Sequence, residues 1–168
     1  MNVVNSGRVA ESKTHTAFTQ SMSTEQNKTV VRAFVEAINR QDWRSLDELI
    51  APDFVRHSSA SGPPPIRSRD QLRDFLAGEA ITFPDGCETI HFMLAEGDMV
   101  AVHSDFRGTQ RGPMGPYPAS GRTLSAAFIS IYRIADGRIA EVWVEWDCLN
   151  GLVQLGHLVP PSSQTPSR

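Results

Sequence analysis

The chain has 168 residues, 40% of them hydrophobic, and a formal net charge of -3 from 19 acidic and 16 basic residues. That length suits one domain with a real core, and the lack of any Lys/Arg block excludes the electrostatic footprint of a nucleic-acid or anionic-membrane binder. Cys87 and Cys148, the only cysteines, form neither a disulfide framework nor a metal-ligand spacing and read as free, buried thiols of a cytoplasmic protein.

No stretch reaches the roughly 18 apolar residues of a membrane span. Residues 1–22 are mixed polar without the apolar core of a secretory signal, and read as a disordered N-terminal extension. The Pro- and Ser-rich residues 159–168 read as a disordered tail, which leaves 23–158 as the folded domain.

Ser23 with Gln26 forms a capping box, and Val31, Phe34, Val35 and Ile38 recur at helical spacing, so a helix is expected from Thr24 to Arg40. Asp42 caps a shorter second helix carrying Trp43, Leu46, Leu49 and Ile50, closed by Pro52. Asp53 to Ser58 reads as a brief strand running into the Gly62-Pro63-Pro64-Pro65 loop, with His57 at its exit as a catalytic base or a loop histidine. Ser68 with Gln71 starts a third helix with Leu72, Phe75 and Leu76 buried, ending near Gly78.

Sheet follows. From Cys87 to Leu94, Ile90, Phe92 and Leu94 alternate with Thr89, His91 and Met93, and Glu96-Gly97-Asp98 turns the chain. Met99 to Thr109 sets Val100, Val102 and Phe106 against His103, Asp105 and Arg107, a polar triplet that is either a solvated face or a site. Thr123 to Ile134 carries apolar residues on both faces and is expected at the centre of the sheet. After the Asp136-Gly137 turn, strand period puts Glu141, Trp143, Glu145 and Asp147 on one face and Ala140, Val142, Val144 and Trp146 on the other. The acidic face is either the wet side of a half-buried strand or the lining of a pocket. Helices first and an antiparallel sheet afterwards give an α+β domain with three N-terminal helices. Phosphate loop, nucleophile elbow and internal repeat are all missing, which argues against nucleotide chemistry and a Ser-His-Asp hydrolase.

Phe34 and Asn39, Asp53-Phe54-Val55 with His57, Phe83-Pro84-Asp85, Gly97-Asp98, Gly108-Thr109, Gly121-Arg122, Arg133 before Asp136-Gly137, then Glu141, Trp143, Asp147 and Gln154-Leu155-Gly156 follow one another in a familiar order. From about Lys28 to Gly156 the chain resembles the SnoaL-like polyketide cyclases of the nuclear-transport-factor-2-like superfamily. The resemblance implies a cone in which a strongly curved, mainly antiparallel sheet wraps the helices around a deep apolar cavity, in a homodimer paired through the sheet. It also implies chemistry without metal or cofactor, on a small hydrophobic carbonyl-containing substrate, with no nucleic-acid or membrane partner.

In such cyclases an aspartate ending the last long strand is acid and base of an intramolecular aldol reaction, and Asp147 falls there. One carboxyl can remove the proton beside a carbonyl and later protonate an oxygen. Beside Trp143 in an apolar cavity its charged form would be disfavoured. His57 matches the family's position after the first strand and is expected in the pocket as a catalytic residue beside Asp147, and Trp143, Glu145, Glu141, Asp105, Arg107, His103 and Phe34 are expected to bind substrate. Where relatives carry Gly-Thr-His this chain has Gly108-Thr109-Gln110, so His57, His91 or His103 would supply any imidazole. The function implied is a cyclase or isomerase of a polyketide-like or polycyclic carbonyl compound. The alternatives are an epoxide hydrolase or dehydratase using the same cavity, the former through Asp105, Arg107 and Asp147, and a binding module without chemistry.

Overall fold

The computed structural model describes residues 22–58 and 65–159. The expected extension and tail, apart from Met22 and Val159, and the 62–65 loop, apart from Pro65, lie outside the described residues. Met22, placed by its composition in the extension, packs against the core.

Local hydrogen bonds start each helix. Helix α1 (Thr24–Asn39) opens with the full capping box, in which the Gln26 N–H donates to Ser23 Oγ (3.2 Å) and the Ser23 N–H to Gln26 Oε1 (2.8 Å). In α2 (Trp43–Leu49) the Asp42 carboxylate accepts from the Ser45 N–H at 3.1 Å. The strand β1 (Ile50–His57) begins at once after α2 and carries Pro52 within it, so it is longer than the sequence suggests. Ser68 caps α3 (Arg69–Thr82), which does not stop at Gly78. An interior glycine costs a helix about 1 kcal/mol. Here the next turn is retained because Phe83, 4% exposed, docks its side chain while its N–H donates to the Glu79 carbonyl.

Four further strands, β2 (Cys87–Glu96), β3 (Met99–Thr109), β4 (Thr123–Ala135) and β5 (Arg138–Trp146), lead into a short helix α4 (Cys148–Gln154). The α+β class stands, with β1 interposed before α3 and a fourth helix added after the sheet. The curved sheet has the order β1-β5-β4-β3-β2, parallel between β1 and β5 and antiparallel elsewhere. β4 is the central strand, as its apolar sequence implies. Asp136 and Gly137 both take positive φ (49° and 74°) in the turn that joins β4 to β5.

The helices cover one face, here called inner, where Val31, Phe34 and Val35 of α1 meet Val100, Val102, Tyr132, Ile134 and Val142 of the sheet. The other face is open. Ile129 and Ile131 of β4 are 51% and 37% exposed on it, so only one side of the central strand is covered within the chain. A register shift between Ile90 and Phe92 also reverses the expected alternation of β2. After it Met93 and Ala95 join the core, while Phe92 and Leu94 are exposed. Cys87 is exposed as well and Cys148 only half-buried, so neither is the buried thiol that the sequence suggested. Among the described residues no helix is long and apolar enough to cross a membrane.

Candidate functional site

Between the inner sheet face and the helices lies a cavity of about 870 Å³. Strand alternation supplies its floor: Phe106 from β3, Leu124, Phe128, Ser130 and Tyr132 from β4, and Val142, Val144 and Trp146 from β5. Helices α1 and α3 wall it with Phe34, Ile38, Phe75 and Leu76, and the loop Pro113–Tyr117 and α4 close one end. Aromatic rings interlock around it: Phe128 stacks on Trp146 (5.4 Å), Phe106 meets Phe83 edge-on (5.4 Å), and Phe34 meets Tyr132 (5.8 Å). Gly151 of α4 packs so closely on Trp146 that a Cβ there would lie 2.5 Å from the indole. These are the surfaces of a site for a large, flat, mostly apolar ligand.

Few charges enter this space. Arg56 comes from β1 by the same alternation that buries Phe54, and its guanidinium stands over the Phe75 ring at 4.8 Å. Glu79 continues the Leu72–Phe75–Leu76 stripe of α3. Burial pushes its carboxyl above the ordinary carboxylate range, against the pull of the Arg56 charge. Burial likewise lowers Arg56 from its ordinary value, opposed by Glu79. Glu88, on the wall of the cavity at the start of β2, is also pushed up by burial, and a hydrogen bond from Ser104 offsets part of this. Tyr132 is raised by burial and by the Glu88 charge beside it.

Of the nine residues expected to act, only Phe34 lines this cavity. Glu141, Trp143 and Glu145 alternate with the lining residues Val142, Val144 and Trp146, and therefore stand on the outer face. There His57 Nε2 lies 3.0 Å from Glu141 Oε2 and its ring stacks on Trp143 at 4.9 Å, while Arg133 Nε donates to Glu141 at 2.9 Å. Those two partners hold the Glu141 carboxyl below the usual range, Arg133 first. His103, Asp105 and Arg107 are outer too, since Val102, Ser104 and Phe106 face in. Asp105 is bound to His91 (2.8 Å), and His103 stacks on Phe92. The Asp105-Arg107-Asp147 arrangement of a hydrolase is therefore not assembled in the cavity. β5 alternates as its sequence implies, but its acidic side faces out, because the apolar side is the one that helices can cover.

Asp147 has an intermediate position. It is exposed and caps α4, accepting the Asn150 N–H at 2.9 Å, so it is not the desolvated carboxylate that the sequence suggested. Its neighbours Trp146 and Cys148 both line the cavity, which puts Asp147 at the rim.

Alternation contained the signal for the residues that were missed. Arg56 shares parity with buried Phe54, and Glu88 with Ile90. One arrangement had no such signal: His157 Nε2 meets the buried Gln110 Oε1 at 2.8 Å across 47 positions and stacks on Tyr117 of the cavity loop. The imidazole beside the Gly-Thr-Gln position comes from this residue rather than from His57, His91 or His103.

The family model for SnoaL-like polyketide cyclase matches residues 28–155. Among solved structures, IdmH from Streptomyces antibioticus, a candidate polyketide cyclase, is 33% identical with a TM-score of 0.70 over 78% of this chain and 99% of its own. TsrD from Streptomyces laurentii is 31% identical with a TM-score of 0.74, covering 82% of this chain and 99% of that one. An epoxide hydrolase from M. tuberculosis, similar to this chain at 18% identity and a TM-score of 0.65 over 80% of this chain and 92% of its own, shares the fold alone. No curated protein matches the sequence.

Proposed function

The chain belongs to the SnoaL-like polyketide cyclase family, and from that premise we propose that it closes or rearranges a polyketide-like carbonyl compound by proton transfer inside the aromatic cavity. The observation that carries this reading is the cavity itself: about 870 Å³ of mostly apolar, ring-lined space that a few charged groups, among them Arg56, Glu79 and Glu88, enter. Such a space binds a flat polyketide skeleton through its faces and excludes the water that would quench an enolate.

Asp147 is the base in this proposal. Trp146 and Cys148 on either side of it line the cavity, and the Asn150 N–H fixes its side chain. It removes the proton next to one carbonyl, and the guanidinium of Arg56 stabilises the negative charge that then spreads over the substrate. His57 has no part in it, being bound to Glu141 on the outer face.

Mass spectrometry of products from polyketide esters, cyclic ketones and epoxides, run in oxygen-labelled water, tests the reading. The expected product is an isomer of its substrate, and Asp147→Asn lowers its rate by about 10²-fold or more. Gain of labelled water would replace the cyclase with a hydrolase, and loss of water with a dehydratase.

The outer sheet face is proposed as the contact with a second copy of the chain. Phe92 and Leu94 of β2 are 55% and 66% exposed there, and Ile129 and Ile131 of β4 are 51% and 37% exposed, with His103 and Ala101 of β3 between them. Sedimentation should give a dimer that Leu94→Asp converts to a monomer; a monomeric wild type would remove this contact.

A further inference from the structure

The inner face also holds a polar constellation around Glu88. Glu88 is the second residue of β2, with its main chain clamped from both sides: the Asn39 side chain of α1 donates to the Glu88 carbonyl and accepts from the Glu88 N–H, each at 2.8 Å. Its Oε1 accepts the hydroxyl of Ser104 at 2.6 Å. Ser104 is 0% exposed, and nearby on β4 Ser130 and Tyr132 are 3% and 4% exposed. The second carboxyl oxygen of Glu88 has no hydrogen bond among the described residues, although Glu88 lines the cavity. A half-buried carboxyl fixed at its backbone and at one oxygen, with the other oxygen open to a ring-lined space, is built to hold something that enters that space.

We propose that Glu88 is the proton donor of this cavity, holding the carbonyl oxygen of a bound ketone or aldehyde through the carboxyl oxygen that Ser104 leaves open. The inference rests on the cyclase reading and deepens it. Ring closure breaks a C–H bond beside one carbonyl, whose electron pair becomes an enolate. The enolate carbon bonds to the second carbonyl carbon, the π bond of that carbonyl breaks, and its oxygen takes the Glu88 proton. Glu88 is left as a carboxylate, held by the Ser104 O–H. The proton taken at the cavity mouth returns to it through solvent, so substrate and product are isomers. Burial keeps the carboxyl protonated to higher pH than usual, as a proton donor requires. Asn39 of α1 holds its backbone, and the ionisable groups lining the same cavity are Tyr132 from β4, Arg56 from β1, Asp74 and Glu79 from α3, and Cys148 from α4.

Glu88→Gln keeps the shape of the side chain and loses the proton. Its kcat should fall by about 10²- to 10⁴-fold with KM little changed and the fold retained. Ser104→Ala removes the bond that favours the carboxylate, so the loss of kcat on the alkaline side should move to higher pH. A purely structural role would leave that limb where it is. Wild-type kcat in Glu88→Gln, or an unmoved limb in Ser104→Ala, overturns the proposal. A second measurement needs no turnover: the infrared carbonyl stretch of bound acetylnaphthalene should shift to lower frequency in the wild type and not in Glu88→Leu. An equal shift in both, or none in the wild type, overturns the assignment. A shift confined to the wild type, with no isomeric product from any substrate, would sink the cyclase reading and leave Glu88 as the carbonyl-holding group.

Discussion

The two faces of the sheet shift their carboxyl groups in opposite directions. On the outer face Glu141 is shared by Arg133 and His57, and Asp105 is bound to His91, all in reach of solvent. On the inner face, amid rings and aliphatic side chains, Glu79 has the charge of Arg56 near it and Glu88 has, among the described residues, only the Ser104 hydroxyl. Their electrostatics differ in sign: partners pull the Glu141 carboxyl down, whereas burial pushes Glu79 and Glu88 up. Exposed pairs of this kind are worth about 0–1 kcal/mol each. A buried carboxyl without a charged partner destabilises the fold and persists only where something else selects for it. Many charges therefore mark the solvated side of this sheet, and isolated ones mark the site.

Apolar substitutions should show the largest contrast between the faces. Phe54, 0% exposed on the inner side, should cost about 3–5 kcal/mol as Phe54→Ala. Ile129, 51% exposed on the outer side, should change stability by no more than about 0.5 kcal/mol as Ile129→Ala, measured by denaturant unfolding of dilute protein. Comparable losses would mean that the outer face is covered within the single chain.

The next test uses pH. Because the folded-state pKa of Glu88 is raised, its contribution is most favourable below the ordinary carboxylate pKa and is lost as pH rises through the higher folded value. Glu88→Gln cannot ionise and keeps a partner for Ser104. Its melting temperature should therefore gain on the wild type as pH rises from mildly acidic to neutral. A gap that is constant with pH would mean that Glu88 is not desolvated in solution.

Much of the architecture was legible because it is local. Ser23 with Gln26, Asp42 with Ser45, Ser68 with Gln71, and Asp136-Gly137 each satisfy their own backbone groups within a few residues, and each starts or turns an element where expected. Several of the family motifs prove to be joints of the same kind: the Asp85 carboxylate accepts from the Thr109 N–H and hydroxyl, and Gln154 exchanges hydrogen bonds with the Ser125 backbone. The site was harder to read for two physical reasons. Alternation separates the faces of a strand without saying which will be covered, and the bulge near His91 then exchanges Met93 with Phe92 and Leu94. Ending α3 at Gly78 also hid Glu79, although the spacing from Leu72 through Phe75 and Leu76 reaches it one turn later.

The smallest expected effect discriminates best between the faces. Glu141 has a lowered folded pKa, so its stabilisation is present above the ordinary carboxylate value and is lost as pH falls through the lower folded one, opposite in sign to Glu88. Its side chain is 25% exposed and screened by solvent, so Glu141→Gln should cost only about 0.5 kcal/mol at neutral pH. The cost should shrink with added salt and vanish in acid, because Arg133 and His57 then lose nothing that protonation has not already taken. Product formation should be unaffected, since the whole thickness of the sheet separates Glu141 from the cavity. If Glu141→Gln instead abolished turnover at unchanged stability, the outer cluster of His57, Glu141 and Trp143 would be the reacting centre, and the inner carboxyls would be the groups left to explain.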